Sequence, residues 1–386
     1  MTTLTGKTTP TPPINLKPAA CMPNRFSFNA VPERPNTTPN RLVQGSPMLG
    51  PLQAFQGTFM GHGFNTIFRP QNAASPTALP VPQPNSNNVL ELNLTAETLS
   101  FSPSLGTVPN RGEVQGDIAL NGVSYLQTVN DVTDPTISTS IHFEPGLWMI
   151  APPTTEPPET ESTLFRLGSI PHGTTINAQG TFFTVSGGPK IDPVDITPFK
   201  IGDNTARIRF PSQTVTDAGT ARIPQDLSIA PSITQELLDD PTVVLRSHID
   251  GLDFVSTDVI QIDTQSKIPG GGTNNIGFLT GDGKGPNASA VEMTATFWIE
   301  TVRAVIEVGP AEAGVAQVVT AAVPAGAPTP AFSVVSASKI DKEQSVTVTY
   351  TQIQYSQLVL LNFANLSWPH CSVATLVPTT PIPVQL

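Results

Sequence analysis

Apolar and polar side chains alternate along much of this chain. In TISTSIHFEPGLWMI, Ile137, Thr139, Ile141 and Phe143 share one parity while Ser138, Ser140, His142 and Glu144 share the other, the period of a half-buried strand. The following run, SIPHGTTINAQ, places Ile170, His172, Thr174, Ile176 and Ala178 on one face if the strand continues through Pro171. On that reading His172 sits among core-facing residues, where an imidazole is either hydrogen-bonded in place or serves as a ligand or an acid–base group. A proline-rich, acidic connection joins the two runs.

The same period recurs in both directions along the chain. FQGTFMGHGFNTIF carries Gly57, Gly61 and Gly63 at alternate positions, which strips side chains from one face and permits sharp curvature or close approach of a neighbouring backbone. In VLELNLTAETLSF, Leu90, Leu92 and Leu94 alternate with Glu91, Asn93 and Thr95, giving one dry face and one wet one. Asn121-Gly122 lies between two alternating runs and predicts a tight hairpin. DITPFKIG, TARIRFP, TVVLRSHIDGLDF and TDVIQIDTQ read as further strands, and only SITQELLDD looks helical, with Ser232 as its N-cap. SAVEMTATFWIETVRAVIEV puts Val291, Met293, Ala295, Phe297 and Ile299 on one face, and QSVTVTYTQIQYSQLVLLNF follows after a low-complexity stretch.

About a dozen such runs are accommodated better by a closed barrel than by an open sheet. The expected fold is therefore all-β, a large antiparallel β-barrel. The expected organisation is a Pro/Thr-rich extended arm over 1–50, the barrel over 51–310, a low-complexity linker over 311–335, and a C-terminal strand and tail over 336–386 packed on the barrel.

Composition narrows the partners. The 41 prolines argue against long helices, and a net charge of −11 disfavours nucleic acid or an anionic membrane surface. MTTLTGKTTPTPPINLKP lacks the apolar core of a signal peptide, and no run approaches the roughly 18 apolar residues of a spanning helix, so the expectation is a soluble, cytoplasmic protein. Cys21 and Cys371 lie near opposite ends and are either bridged or two free thiols.

The chain has no GxSxG, HExxH or CxxC, and the glycine-rich turns at Gly270 and Gly281 match neither a phosphate nor a calcium loop in full. That leaves five histidines. His248, beside Asp250 and Gly251, reads as a surface residue. His62, among the glycines of the first strand, could face a cavity. His370, in WPHCS, falls at the end of a late strand where a barrel rim is common. His142 faces water or a polar pocket.

The segments GTFMGHGFNTIFRP, LELNLTAETLSF, PNRGEVQGDIALNGVSYLQ, HFEPGLW, SIPHGTTINAQGT, NASAVEMTATFWIETV and NFANLSWPHCSVATL together resemble the FMP-type family of heme-binding, peroxidase-like proteins, over nearly the whole chain from Phe55. GTFMGHGF followed by HFEPGLW is also similar to the pattern of nitrobindin-type heme barrels, which are lipocalin-like folds. The resemblance implies histidine-ligated heme in a lipocalin-like β-barrel, with peroxide and a separate reductant as substrates. In nitrobindin-type barrels a histidine on a late strand binds the iron, whereas NASAVEMTATFW carries none. The ligand is then sought elsewhere: His172 first, for its apolar neighbours of equal parity, with His142 and His370 as alternatives.

Peroxidase chemistry also needs a base and a cation. His142 is the candidate base. Arg69, Arg111 and Arg166 are candidates to pair with heme propionates or polarise peroxide, against a structural role as partners of Glu144 or Glu113. Two other readings stand beside this one. The first is a non-catalytic barrel that holds heme or another apolar small molecule; the second is an isomerase- or cyclase-like enzyme with His142 and Glu144 as acid and base.

Overall fold

The computed structural model describes residues 49–71, 87–113, 116–154, 161–265, 271–280 and 287–386. The arm expected over 1–50 lies outside these residues apart from its last two, and so does Cys21.

Ten strands form the framework: β1 (Gly57–Pro70), β2 (Asn88–Phe101), β3 (Ile118–Asp131), β4 (Thr139–Ala151), β5 (Thr163–Ser169), β6 (Thr174–Ser186), β7 (Asp253–Asp263), β8 (Ser289–Val308), β9 (Gln344–Phe363) and β10 (Leu366–Pro378). Each pairs antiparallel with the next, and β10 returns to pair with β1, His62 opposite Thr375 and Phe64 opposite Val373. The result is a closed ten-stranded antiparallel barrel with up-and-down order, which leaves the ring itself no open edge.

Closure depends on residues without side chains on the inner face of β1. A Cβ added at Gly63 would meet the Val373 carbonyl oxygen of β10, so only glycine lets the two backbones approach this closely. Gly57 has open space beside it, whereas Gly61, against the Thr375 carbonyl, marks the same close approach. Gly122 does the same against the Trp148 carbonyl, and this overturns the hairpin expected at Asn121-Gly122. Both residues lie inside β3, with Gly122 opposite Met149, and Asn121 Oδ1 accepts from the Gly122 N–H at 2.8 Å.

One end of the barrel is plugged. A 3-10 turn at Gly50–Ala54 carries Leu52 into the core, and Phe55 just after it stacks on Phe101 at 4.3 Å and meets Trp148 edge-on at 5.7 Å. Leu52, Phe55, Trp148 and Ile150 are buried there.

Outside the ring, two short helices, α1 (Gln235–Asp239) and α2 (Val243–Ile249), pack on the wall. The N-cap of α1 is Thr234, whose hydroxyl accepts from the Leu237 N–H at 3.2 Å, two residues beyond the expected Ser232. The stretch 311–335 does not behave as a linker. Its strands Ala316–Thr320 and Ala331–Val335 pair with each other, and the second also pairs with Ile382–Gln385, giving a separate three-stranded sheet. Phe332 and Val334 of that sheet bury against Val302, Ile306 and Tyr350 in a second core, so the small apolar residues of this stretch pack. The barrel likewise does not end at residue 310, because β9 and β10 are two of its ten staves.

Candidate functional site: a histidine-lined cavity over a buried polar floor

The unplugged half of the barrel holds a cavity of about 480 Å³, within the usual range for small-molecule and cofactor sites. Ile67, Val129, Ile176, Met293, Val359 and Leu361 supply apolar wall. His142, His172 and His370 all line it, from β4, the β5–β6 turn and β10.

Each histidine is held differently. His370 Nδ1 lies 2.9 Å from the Thr66 carbonyl oxygen, so the proton resides on Nδ1 and Nε2 carries the free lone pair. Burial, only partly opposed by that hydrogen bond, pushes its pKa down to about 4, and the ring is neutral near pH 7. His142 Nε2 lies 3.1 Å from Glu144 Oε2. Its position follows from a β-bulge: His142 pairs with Val129 and Ser140 with Asn130, so Ile141 is the extra residue, and both Ile141 and His142 line the cavity. His172 meets the His142 ring edge-on, with centroids 5.4 Å apart.

The placement of His172 differs from the expectation of a core-facing strand residue. Pro171 has no N–H to give to a ladder, so the strand stops at Ser169 and resumes at Thr174. The Gly173 N–H donates to the Ile170 carbonyl at 2.9 Å and closes a turn that carries His172 at the exposed rim of the cavity. Burial, with a contribution from His142, lowers its pKa.

Beneath the cavity lies a buried polar floor. Tyr355, which lines the cavity, sits with its hydroxyl 2.6 Å from Glu97 Oε2, and Thr95 Oγ1 donates to Glu97 Oε1 at 2.9 Å. Gln127 Nε2 donates to the Tyr355 hydroxyl at 3.1 Å and, more weakly, to Glu97 Oε2 at 3.4 Å. Arg166 binds the other half together: Nη2 donates to Glu144 Oε1 at 2.8 Å, Nη1 to Gln357 Oε1 at 2.8 Å and Nε to the Tyr125 hydroxyl at 2.9 Å. The Tyr125 hydroxyl in turn donates to Glu144 Oε1. The Arg166 guanidinium also faces the Tyr125, Trp148 and Phe297 rings, 5.2, 5.5 and 5.5 Å from their centroids.

The two carboxyls of this floor are driven apart. Burial alone would raise Glu144, but the Arg166 charge and the hydrogen bonds from His142 and Tyr125 outweigh it and hold the carboxyl down to about 2. Among the described residues no cation contacts Glu97. Burial raises its pKa, and the hydrogen bonds from Tyr355, Thr95 and Gln127 offset only part of that.

The sequence-derived candidates therefore separate. His142, His172 and His370 converge on one cavity, and Arg69 stands at its edge, 43% exposed and ion-paired with Glu91 at 2.8 Å. Arg111 is exposed and is not part of the cavity wall, which leaves it no role at this site. Arg166, proposed as a group acting on peroxide, is 1% exposed and engaged behind the wall as a partner of Glu144. His62 is exposed instead of facing the cavity, and His248, expected at the surface, is 4% exposed on α2 with Nδ1 3.0 Å from Thr375 Oγ1.

Sequence reasoning missed Glu97, Gln127, Tyr355 and Gln357. A signal for them exists: polar residues at one parity within otherwise strongly apolar strands, as with Glu91, Asn93, Thr95 and Glu97 on β2.

The fold and the site define a closed β-barrel with a histidine-lined cavity in one mouth. No family model and no curated protein matches the chain. A solved structure, described as "Crystal Structure of Rv2717c from M. tuberculosis", is similar at 9% identity over 87% of this chain and 99% of that chain, with a TM-score of 0.33.

Proposed function

We propose that the protein binds heme in this cavity, where His370 would be the histidine that holds the iron. The observation that carries the reading is the His370 ring: the Thr66 carbonyl fixes its proton on Nδ1, burial keeps it neutral, and the remaining Nε2 belongs to a side chain that lines a largely apolar cavity. A histidine whose second nitrogen donates to a backbone carbonyl is the usual preparation of a metal ligand. Arg69, at the rim and ion-paired with Glu91, would be the cation that meets a carboxylate of the bound group.

Heme, once bound, would supply the redox chemistry on peroxide. The chain's part would be a proton acceptor beside it, and His142, oriented by Glu144, is that group. Arg166 contributes indirectly, since its charge keeps Glu144 anionic. A second reading, a heme carrier without turnover, is favoured by the same arginine, because its guanidinium is engaged behind the wall and the cavity has no buried arginine or lysine among the described residues.

The test is a hemin titration of the purified protein followed by ultraviolet–visible absorption, with peroxide and a generic reductant added at saturation. Saturable one-to-one binding with turnover is the expected result, saturable binding without turnover selects the carrier, and no binding overturns both.

A further inference from the structure

The cavity also contains the parts of a proton-transfer site that requires no prosthetic group. Tyr355 and His142 both line it. The Tyr355 hydroxyl is backed by the Glu97 carboxyl at 2.6 Å and by Gln127 Nε2 at 3.1 Å. His142 Nε2, 3.1 Å from Glu144 Oε2, directs its proton to that carboxylate and leaves Nδ1 as the ring's acceptor. Glu144 is fixed in turn by Arg166 and Tyr125, so the base is held by a chain of side chains with little freedom.

We propose that this cavity catalyses proton transfer next to a carbonyl: an apolar ketone enters with its oxygen on the Tyr355 hydroxyl, and His142 removes a proton from the adjacent carbon. The C–H electron pair becomes the C=C bond of the enolate, the carbonyl π pair moves to the oxygen held by Tyr355, and the proton resides on His142 Nδ1. Return of that proton to the same or a neighbouring carbon regenerates the imidazole and gives exchange or isomerisation. No oxidant or reductant enters the balance.

The environments of the two carboxyls fit these roles. Burial raises the pKa of Glu97, and in its acid form Glu97 donates to the Tyr355 hydroxyl and frees that hydroxyl's own proton for a developing oxyanion; the Glu144 carboxyl, held low by Arg166 against its own burial, orients the imidazole and supports it as it gains charge. Neighbouring carboxyls pushed in opposite directions mark acid and base sides of one site. Glu97 acts through Tyr355 and is a positioning residue. The walls of Ile67, Val129, Ile176, Met293 and Val359 select a substrate that is apolar apart from its oxygen.

The test uses the full chain without added hemin and 2-tetralone, an apolar bicyclic ketone, in deuterium oxide, with exchange of the protons beside the carbonyl followed by ¹H NMR. Exchange on the order of a hundredfold above buffer is expected, with loss of at least about tenfold in Tyr355→Phe and in His142→Gln. A wild-type rate equal to buffer, or full activity in both variants, overturns the proposal.

Should Tyr355→Phe fail to fold, 2-naphthol replaces it as the probe on wild-type protein and on Glu97→Leu. A shift of bound 2-naphthol towards its naphtholate absorption, diminished in Glu97→Leu, is expected, and no shift on binding to wild type overturns the assignment of the floor. The hemin titration is independent, so retention of hemin binding with no ketone exchange removes this inference and leaves the heme reading standing.

Discussion

Glu97 and Glu144 are buried in one hydrogen-bond network and have their pKa values pushed in opposite directions, Glu97 up by burial and Glu144 down, against its own burial, by the Arg166 charge. Gln127 links them, donating through Nε2 to Glu97 Oε2 at 3.4 Å and accepting through Oε1 from Arg166 Nη2 at 3.4 Å, while the same Nη2 donates to Glu144 at 2.8 Å. Among the described residues the one guanidinium in this network, Arg166, lies against Glu144. Glu97 has no such partner there, and burial raises its pKa.

Removal of Arg166 leaves Glu144 charged and uncompensated in the barrel interior. Arg166→Met is expected to destabilise the fold by about 3–5 kcal/mol, the range for breaking one side of a buried pair. Urea denaturation measures the loss. Adding Glu144→Gln to Arg166→Met is expected to recover part of it, and a double variant no more stable than the single one would contradict this account.

Glu97 has a raised pKa, so its contribution to stability is fully present below the unfolded value and is lost as pH rises through the folded value. Glu97→Gln keeps a neutral hydrogen-bonding group without the requirement for a proton. Its stability relative to wild type is therefore expected to increase as pH rises from 5 to 8. Urea midpoints of both proteins across that range check the sign.

His248 behaves in the opposite sense. Burial on α2, with a contribution from His62, lowers its pKa to about 4, below the ordinary value of about 6.5. Its stabilising contribution is present above pH 6.5 and is lost as pH falls towards 4, because the unfolded chain takes up the proton first. His248→Asn is expected to gain on wild type through that window, measured by thermal or urea unfolding at pH 7.5, 6 and 4.5.

Gly168 stands opposite Gly146 across β4 and β5, and the space they leave holds the Tyr125 ring and the Glu144 carboxylate. A Cβ at position 168 would meet Glu144 Oε1 and come within 2.8 Å of the Tyr125 hydroxyl. Those atoms are held by Arg166 and cannot yield cheaply. Gly168→Ala is expected to cost about 1–3 kcal/mol in urea unfolding, as overpacking does.

The hemin spectrum is expected to depend on His370 above the other histidines. His370→Ala should abolish the heme band with the fold intact by circular dichroism, and His172→Ala, at the exposed rim, should retain it. The reverse pattern would transfer the ligand to His172.

Several features of this architecture were legible in local pattern. Alternation in β1, β2, β4, β8 and β9 announced strands, their number announced closure, and the parity of His142 and Glu144 placed them together on a face that the barrel turns into a polar pocket. Where local period misled, a neighbour was responsible. TVVLRSHIDGLDF, read as strand, contains the seven-residue helix Val243–Ile249, and its packing against β10 buries His248.

By itself the sequence determined that the runs have two faces of opposite polarity, because alternation along a strand has a period of two whatever surrounds it. Which face turns inward is not a property of the strand. On β2 the wet face, Glu91, Asn93 and Glu97, points into the barrel, and the dry face is buried outside it, where the Leu90 N–H donates to the Ala221 carbonyl at 2.9 Å in a segment crossing the wall. Glu97 meets Tyr355 across 258 positions of chain. Only ring closure, which sets the register of β1 on β10 and gives the outer layer a wall to cover, brings those carboxyl and hydroxyl groups together beneath three histidines.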